Sequence, residues 1–134
     1  MSSVYLKAFN NCFEEHILFI VELFPNNTDL RSAYNGLLSI KKINPSLIVK
    51  FWYSYIVFNY REPIEKEDYE YFLAKEYKDD ILTVSTSIYS PQIIEGIEKM
   101  KKPVSEMNTE NKIKWVRYMK QLNQLSTIYN ISKN

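Results

Sequence analysis

The only cysteine and the only histidine of this 134-residue chain, Cys12 and His16, lie four residues apart. On a helix this spacing puts both side chains on one face, where they could form a metal-ligand pair or an activated thiolate. A structural zinc site needs four protein ligands and a catalytic one usually three, and the sequence offers no second cluster to complete either set. A nucleophilic cysteine also needs an electropositive, partly exposed setting, whereas Cys12 is followed by Phe13 and two glutamates. The sequence therefore favours a cysteine at the edge of the core beside a histidine on the helix surface.

Other reactive constellations are missing from the sequence. The only two glycines, Gly36 and Gly96, are sixty residues apart, so no glycine-rich phosphate loop can form. No G-x-S-x-G turn is present, and one histidine supplies the only acid-base group that titrates near neutral pH. We therefore predict a non-enzymatic protein without catalytic, metal-binding or cofactor-binding residues.

Residues 62–80 form an acidic stretch, with eight Asp or Glu against three Lys. The stretch lacks the alternating D-x-D-x-D-G spacing of a calcium loop. A solvated face or a docking surface for a basic partner is the better interpretation. The predicted contacts for such a partner are Glu65, Glu67, Asp68, Glu70, Asp79 and Asp80.

Residues 99–120 form a basic stretch with seven Lys or Arg. Within it, aromatic residues Trp115 and Tyr118 alternate with cations, a pattern that could contact phosphates and stack a base. In the simpler interpretation Trp115 faces inward and the cations are the wet side of an amphipathic helix. The predicted contacts for nucleic acid or an acidic partner are Lys112, Lys114, Arg117 and Lys120.

Composition bounds the class of protein that carries these residues. The chain is 46% hydrophobic and 25% charged, which is typical of one globular domain, and its net charge of +1 indicates no global attraction to nucleic acid or membrane. A single cysteine fits a reducing compartment. Residues 1–16 lack the pattern of a signal peptide, so we expect a cytoplasmic protein that is not secreted.

Ser46–Tyr60 is the most apolar segment, with eleven apolar or aromatic residues and a single charge, Lys50. It is too short to span a bilayer, which needs about 20 apolar residues. Asn44-Pro45 predicts an N-cap followed by proline at the first helical position, and Arg61–Pro63 predicts the helix end. We expect a buried central helix.

The remaining helices are predicted from a 3.6-residue apolar period and from capping residues. Asn27 or Thr28 caps the second helix, Ser90-Pro91 starts the fifth, which ends or kinks at 101–103, and Asn108 caps the last. Residues 81–90 are predicted to form an ordered loop. The predicted fold is all-α, a compact single-domain bundle of five to six helices; the other helices span 4–24, 28–44, 68–77, 90–103 and 109–129.

The first and third predicted helices carry apolar residues on more than one side. Either the third helix lies at the centre of the domain, or part of it forms an interface with a protein partner or a second copy. We predict a protein-interaction or scaffolding module that uses apolar, tyrosine-rich surface and the two charged stretches. The alternative is a nucleic-acid-associated factor that uses the basic stretch.

Several short segments carry a resemblance to a known family: LFPNN at 23–27, KKINP at 41–45, DYEYFL at 68–73 and ENK at 110–112. With them, the chain resembles, over about residues 9–129, a group of small, functionally uncharacterised helical proteins of nucleocytoplasmic large DNA viruses, including mimivirus-like and algal viruses. The resemblance implies a viral protein of the host cytoplasm, in the virus factory or the virion. It carries over no active-site residue.

Overall fold

The structure, a computed structural model, describes residues 2–74 and 90–133. All regular structure in these two ranges is helical, so the predicted all-α fold is confirmed. The helices are α1 (Ser2–Leu23), α2 (Thr28–Ile43), α3 (Leu47–Phe51), a π-helical segment (Trp52–Val57), α4 (Phe58–Glu65), α5 (Tyr69–Ala74), α6 (Ser90–Ser105) and α7 (Thr109–Lys133). Because α3, the π-helical segment and α4 follow one another directly along the chain, with one kink at Tyr60, we call them together the central helix. The described part of the chain then holds six helices, within the predicted range of five to six.

Helices α1 and α7 form an antiparallel pair that covers the central helix. Near one end of the pair Cys12 Sγ lies 3.6 Å from Gln121 Oε1, and further along Lys114 Nζ lies 5.5 Å from the centre of the Phe19 ring. The rings of Phe9 and Phe13 pack edge-on against Trp52 of the central helix, with centroids 6.3 and 6.2 Å away. The predicted central position of the apolar helix is therefore observed.

The central helix buries a row of residues spaced by four. In a regular α-helix each four-residue step overshoots a full turn by about 40°, so such a row would drift off the core. The π-helical segment has more residues per turn and offsets part of this drift. As a result the row stays buried along the whole central helix: Ile48, Trp52, Ile56, Tyr60 and Ile64.

The predicted break of the central helix at Arg61–Pro63 lies directly after the observed one, because Tyr60 is non-helical and a further helical stretch follows it to Glu65. Pro63 lacks the N–H that would bond to the carbonyl of residue 59, and the chain bends at Tyr60, where φ is −128° and ψ is 20°. Asn59 Nδ2 donates to the Tyr55 carbonyl at 2.9 Å and so satisfies part of the distorted backbone. The proline therefore redirects the helix instead of ending it.

The predicted cap at Asn44 is also displaced, because Ser46 and not Asn44 precedes the first helical residue. The Asn44 side-chain oxygen accepts from the backbone N–H of Ser46 at 3.0 Å and from its hydroxyl at 2.9 Å. Asn44 itself is extended, as the residue before a proline usually is. Asn44-Pro45 is thus a turn that leads into the helix.

Two other predicted caps are confirmed. Asn27 Oδ1 accepts from the Leu30 N–H at 3.0 Å, and Asn108 Oδ1 accepts from the Asn111 N–H at 2.8 Å.

Helix α6 begins at Ser90 as predicted but runs through Pro103 to Ser105. The predicted continuation of α5 to residue 77 and the predicted loop over 81–90 lie, up to residue 89, outside the described residues.

The two glycines differ in what surrounds them, and this difference predicts different gains in stability on substitution by alanine. No atom lies within 4 Å of a Cβ built on Gly36, whereas a Cβ on Gly96 would sit 3.3 Å from Leu37 Cδ1 across the α2–α6 contact. We expect Gly36→Ala to raise the free energy of unfolding by about 0.5–1 kcal/mol through helix propensity, and Gly96→Ala to gain less. Urea unfolding of both variants measures this. Equal gains would show that α2 and α6 are not in close contact at Gly96.

Candidate functional site

Cys12 and His16 are both buried, with 8% and 4% of their surface exposed. The predicted place of His16 on the helix surface is therefore wrong, because helix α7 covers it: the His16 ring stacks on Tyr118 at 5.6 Å between centroids. Burial, with the Glu15 carboxylate adding to it, raises the pKa of Cys12 to about 11. Burial alone lowers the pKa of His16 to about 3.

These pKa directions oppose the chemistry that the Cys12–His16 spacing first suggested. A nucleophilic or metal-bound cysteine must lose its proton, and here the thiol keeps it at neutral pH. The imidazole stays neutral, so it cannot stabilise a thiolate by charge. In residues 2–74 and 90–133 no three His, Cys, Asp or Glu side chains come together as a metal site would require.

The acidic and basic stretches identified in the sequence contact each other at the surface of the same chain. Glu67, whose φ of 56° is left-handed, turns the chain between α4 and α5. Its carboxylate accepts from Arg117 Nε at 3.2 Å and from Lys120 Nζ at 3.3 Å. The hydrogen bond from Lys120, together with Arg117, lowers the pKa of Glu67. Arg117 and Lys120, predicted to contact nucleic acid or an acidic partner, are thus paired with Glu67, which was predicted to contact a basic partner.

The other two predicted cationic contacts lie over aromatic rings of this chain. Lys112 Nζ is 5.7 Å from the Tyr69 ring and Lys114 Nζ is 5.5 Å from the Phe19 ring. Trp115 faces inward with 8% of its surface exposed, so it is not placed to stack a base. The structure therefore places these residues as the amphipathic-helix interpretation predicts.

The remaining predicted acidic contacts are scattered over the surface. Glu65, Asp68 and Glu70 are exposed, and Asp68 Oδ1 accepts from the Tyr71 N–H at 3.2 Å at the start of α5. Asp79 and Asp80 lie outside the described residues.

A feature that the sequence analysis missed is the exposure of Phe58, with 84% of its surface open to solvent. The preceding residue, Val57, is 3% exposed, because the π-helical segment turns it toward the core. Phe58 then starts α4 on the outer side. π-helical turns are frequent at functional sites. Because one directly precedes Phe58, we take the surface around this ring as a candidate functional site.

Next to Phe58 lies a groove of about 330 Å³ between α4 and α7. Its lining includes apolar, basic and acidic side chains: Val57, Arg61, Ile64, Glu65, Lys120, Asn123, Gln124, Thr127 and Ile128. A smaller hollow of about 170 Å³ adjoins it and is lined by Tyr53, Val57, Phe58 and Arg61. We call the groove, the hollow and the Phe58 ring together the Phe58 face.

The lining of the groove includes a buried amide with an unused donor. Trp52 Nε1 donates to Asn123 Oδ1 at 2.7 Å, and because an indole nitrogen only donates, this bond fixes the orientation of the amide. Asn123 Nδ2 is left buried without a hydrogen-bond partner. In the sequence, the only indication of this buried amide is that Asn123 is a polar residue beside Leu122 in the apolar stripe of α7.

No protein-family model matches the chain, and neither a curated protein nor a solved structure is similar enough to it to be matched. Among the described helices none is both long and apolar enough to cross a bilayer. The case for function therefore depends on the geometry of the Phe58 face.

Proposed function

We propose that this chain is a non-enzymatic protein-interaction or scaffolding module whose Phe58 face binds another polypeptide. The observation that carries this proposal is a phenylalanine ring with 84% of its surface exposed beside a groove that opens between α4 and α7. Burying such a ring removes apolar surface from water, and aromatic anchors of this kind dominate the energy of protein interfaces.

The charged groups support a protein partner over a nucleic acid. Arg117 and Lys120 already share the Glu67 carboxylate, so a phosphate would have to compete with it. Trp115 is buried and offers no stacking surface. The Phe58 face, in contrast, combines an apolar floor with polar and charged rims, the usual arrangement of a protein interface.

The proposed setting is the host cytoplasm, in a virus factory or a virion. Its support is the resemblance to proteins of nucleocytoplasmic large DNA viruses. A cytoplasmic module that works through contacts alone also agrees with a single, buried cysteine whose thiol stays protonated.

The proposal is tested by placing a photo-crosslinking phenylalanine analogue at position 58 of the full chain in cells. We expect discrete crosslinked adducts with another polypeptide chain. The matched control is the same analogue at Ile43, which is also apolar and 58% exposed but lies on α2. Absence of adducts from position 58, or the same adducts from both positions, would contradict the proposal.

A further inference from the structure

The Phe58 face contains both a projecting ring and an empty space of the right size for one. A cavity of about 150 Å³ accepts a benzene ring, so the groove of about 330 Å³ has room for a phenylalanine ring. Phe58 cannot fill the groove of its own chain, because it points into solvent with 84% of its surface exposed. None of the described residues that line the groove is aromatic.

The groove is lined by charges of both signs. Arg61 and Glu65 lie one helical turn apart on α4 and both line the groove. Neither forms an ion pair with any residue of the described ranges, although both are exposed. A surface that offers one cation and one anion side by side is complementary to a copy of itself turned by 180°.

The third charged group of the lining, Lys120, does not disturb this balance. Its ammonium group lies 3.3 Å from a Glu67 carboxylate oxygen, at the α7 side of the groove. The unpaired charges at the groove are therefore one positive and one negative, whereas a strongly acidic or strongly basic partner would require an excess of one sign.

Resting on the proposed function, we propose that the polypeptide bound by the Phe58 face is a second copy of this chain. The two copies form a two-fold dimer in which the Phe58 ring of each enters the α4–α7 groove of the other. The Arg61 guanidinium of each copy then faces the Glu65 carboxylate of the other. Val57 and Ile128 supply the apolar walls against which the entering ring is buried.

Sedimentation over a range of concentrations tests this inference on the full chain. We expect a monomer–dimer equilibrium in which Phe58→Asp weakens association by about 100-fold or more, because each dimer buries two rings. Ile43→Asp, at an exposed apolar site on α2, should leave the dissociation constant unchanged. At concentrations where the wild type is monomeric, both variants should keep its melting midpoint, since neither side chain is part of the core.

Charge-reversal variants test whether Arg61 of each copy pairs with Glu65 of the other copy. Arg61→Glu alone and Glu65→Arg alone should each weaken self-association, because each places like charges opposite one another in its own dimer. Mixed together, the two variants should form a heterodimer, and the double variant Arg61→Glu/Glu65→Arg should dimerise again. Effects within one helix would not produce association on mixing, so this result depends on contact between two copies.

Failure of this inference is distinguishable from failure of the proposed function. A wild-type monomer at every concentration, with position 58 crosslinking to a different protein, overturns the second-copy inference and leaves the interaction function standing. A monomer without any crosslink from position 58 overturns both. A dimer that is insensitive to Phe58→Asp shows that another surface joins the copies.

Discussion

Trp52→Ala is expected to lower the free energy of unfolding by about 3–5 kcal/mol, the range for removing a large aromatic side chain from a core. Trp52 is 2% exposed and lies between Phe9 and Phe13 of α1 and Asn123 of α7. The substitution leaves a cavity at the junction of three helices. It also removes the hydrogen bond that the Asn123 side-chain oxygen accepts from the indole N–H. Urea denaturation followed by circular dichroism measures the change.

A double-mutant cycle separates the packing of Trp52 from its hydrogen bond. Trp52→Phe keeps most of the ring volume but leaves the Asn123 amide wholly unpaired in the core, at a cost of about 1–3 kcal/mol for the stranded group beyond any packing loss. Asn123→Leu strands the indole N–H instead. The double variant should lose clearly less stability than the sum of the two single losses, because neither polar group then remains.

Two results would contradict this expectation. A wild-type unfolding midpoint for Trp52→Ala would remove the ring from the core. Strict additivity in the cycle would show that the 2.7 Å bond between the indole and the Asn123 amide does not couple the two residues.

Acidification should destabilise the protein through its one histidine. The folded state holds the pKa of His16 at about 3 by burial, whereas an unfolded chain has the ordinary value near 6.5. Between these values the unfolded state binds a proton that the folded state excludes, so stability is full above about pH 6.5 and falls as the pH falls toward 3. The loss attributable to His16 reaches at most about 4–5 kcal/mol.

The surroundings of His16 explain why protonation is resisted. Neither ring nitrogen has a hydrogen-bond partner, and the ring packs against Trp115 and Tyr118 of α7. The small cavity that it lines, about 30 Å³, has space for about one water molecule and is otherwise lined mainly by apolar side chains. Lys101, which also lines this cavity, is a cation and does not favour a second positive charge.

The measurement compares unfolding free energies from pH 8 to pH 4 in the wild type and in His16→Gln, which keeps a polar side chain but does not titrate. Acid also neutralises carboxylates such as Glu67, whose ion pairs remain in both proteins, so the difference between the two profiles isolates His16. Since the chain has a single histidine, its imidazole NMR signals are assigned without ambiguity and should not titrate between pH 8 and 5. Parallel stability profiles, or a histidine that titrates near pH 6.5, would show that the ring is accessible to water.

The helix boundaries show what short-range physics determines. The caps at Asn27 and Asn108 follow from the sequence because a side-chain oxygen reaches a backbone N–H only three residues ahead. Asn44 obeys the same local chemistry but forms a turn, since the extended conformation before Pro45 moves the helix start to Ser46. Pro63 removes one hydrogen bond, yet the helix resumes because Ile64 packs into the core at 0% exposure.

The candidate site depends on contacts between residues far apart in the chain. Glu67 pairs with Arg117 and Lys120, fifty or more residues away, and no periodicity in either stretch predicts which acid meets which base. Likewise, the burial of His16 results from the packing of α7 over α1. The outward position of Phe58 requires the π-helical turn, which the apolar run Ser46–Tyr60 does not reveal.

The sequence by itself determined that the chain is all-helical, where most helices begin, and that its most apolar segment lies at the centre. These features arise from apolar periodicity and from hydrogen bonds between near neighbours, which are encoded within a few residues. Only the tertiary structure decided which charges are paired, which polar groups are buried without partners and which aromatic ring faces solvent. Those outcomes depend on how separate helices cover one another, and each covering helix is distant in sequence from the residue that it buries or leaves exposed.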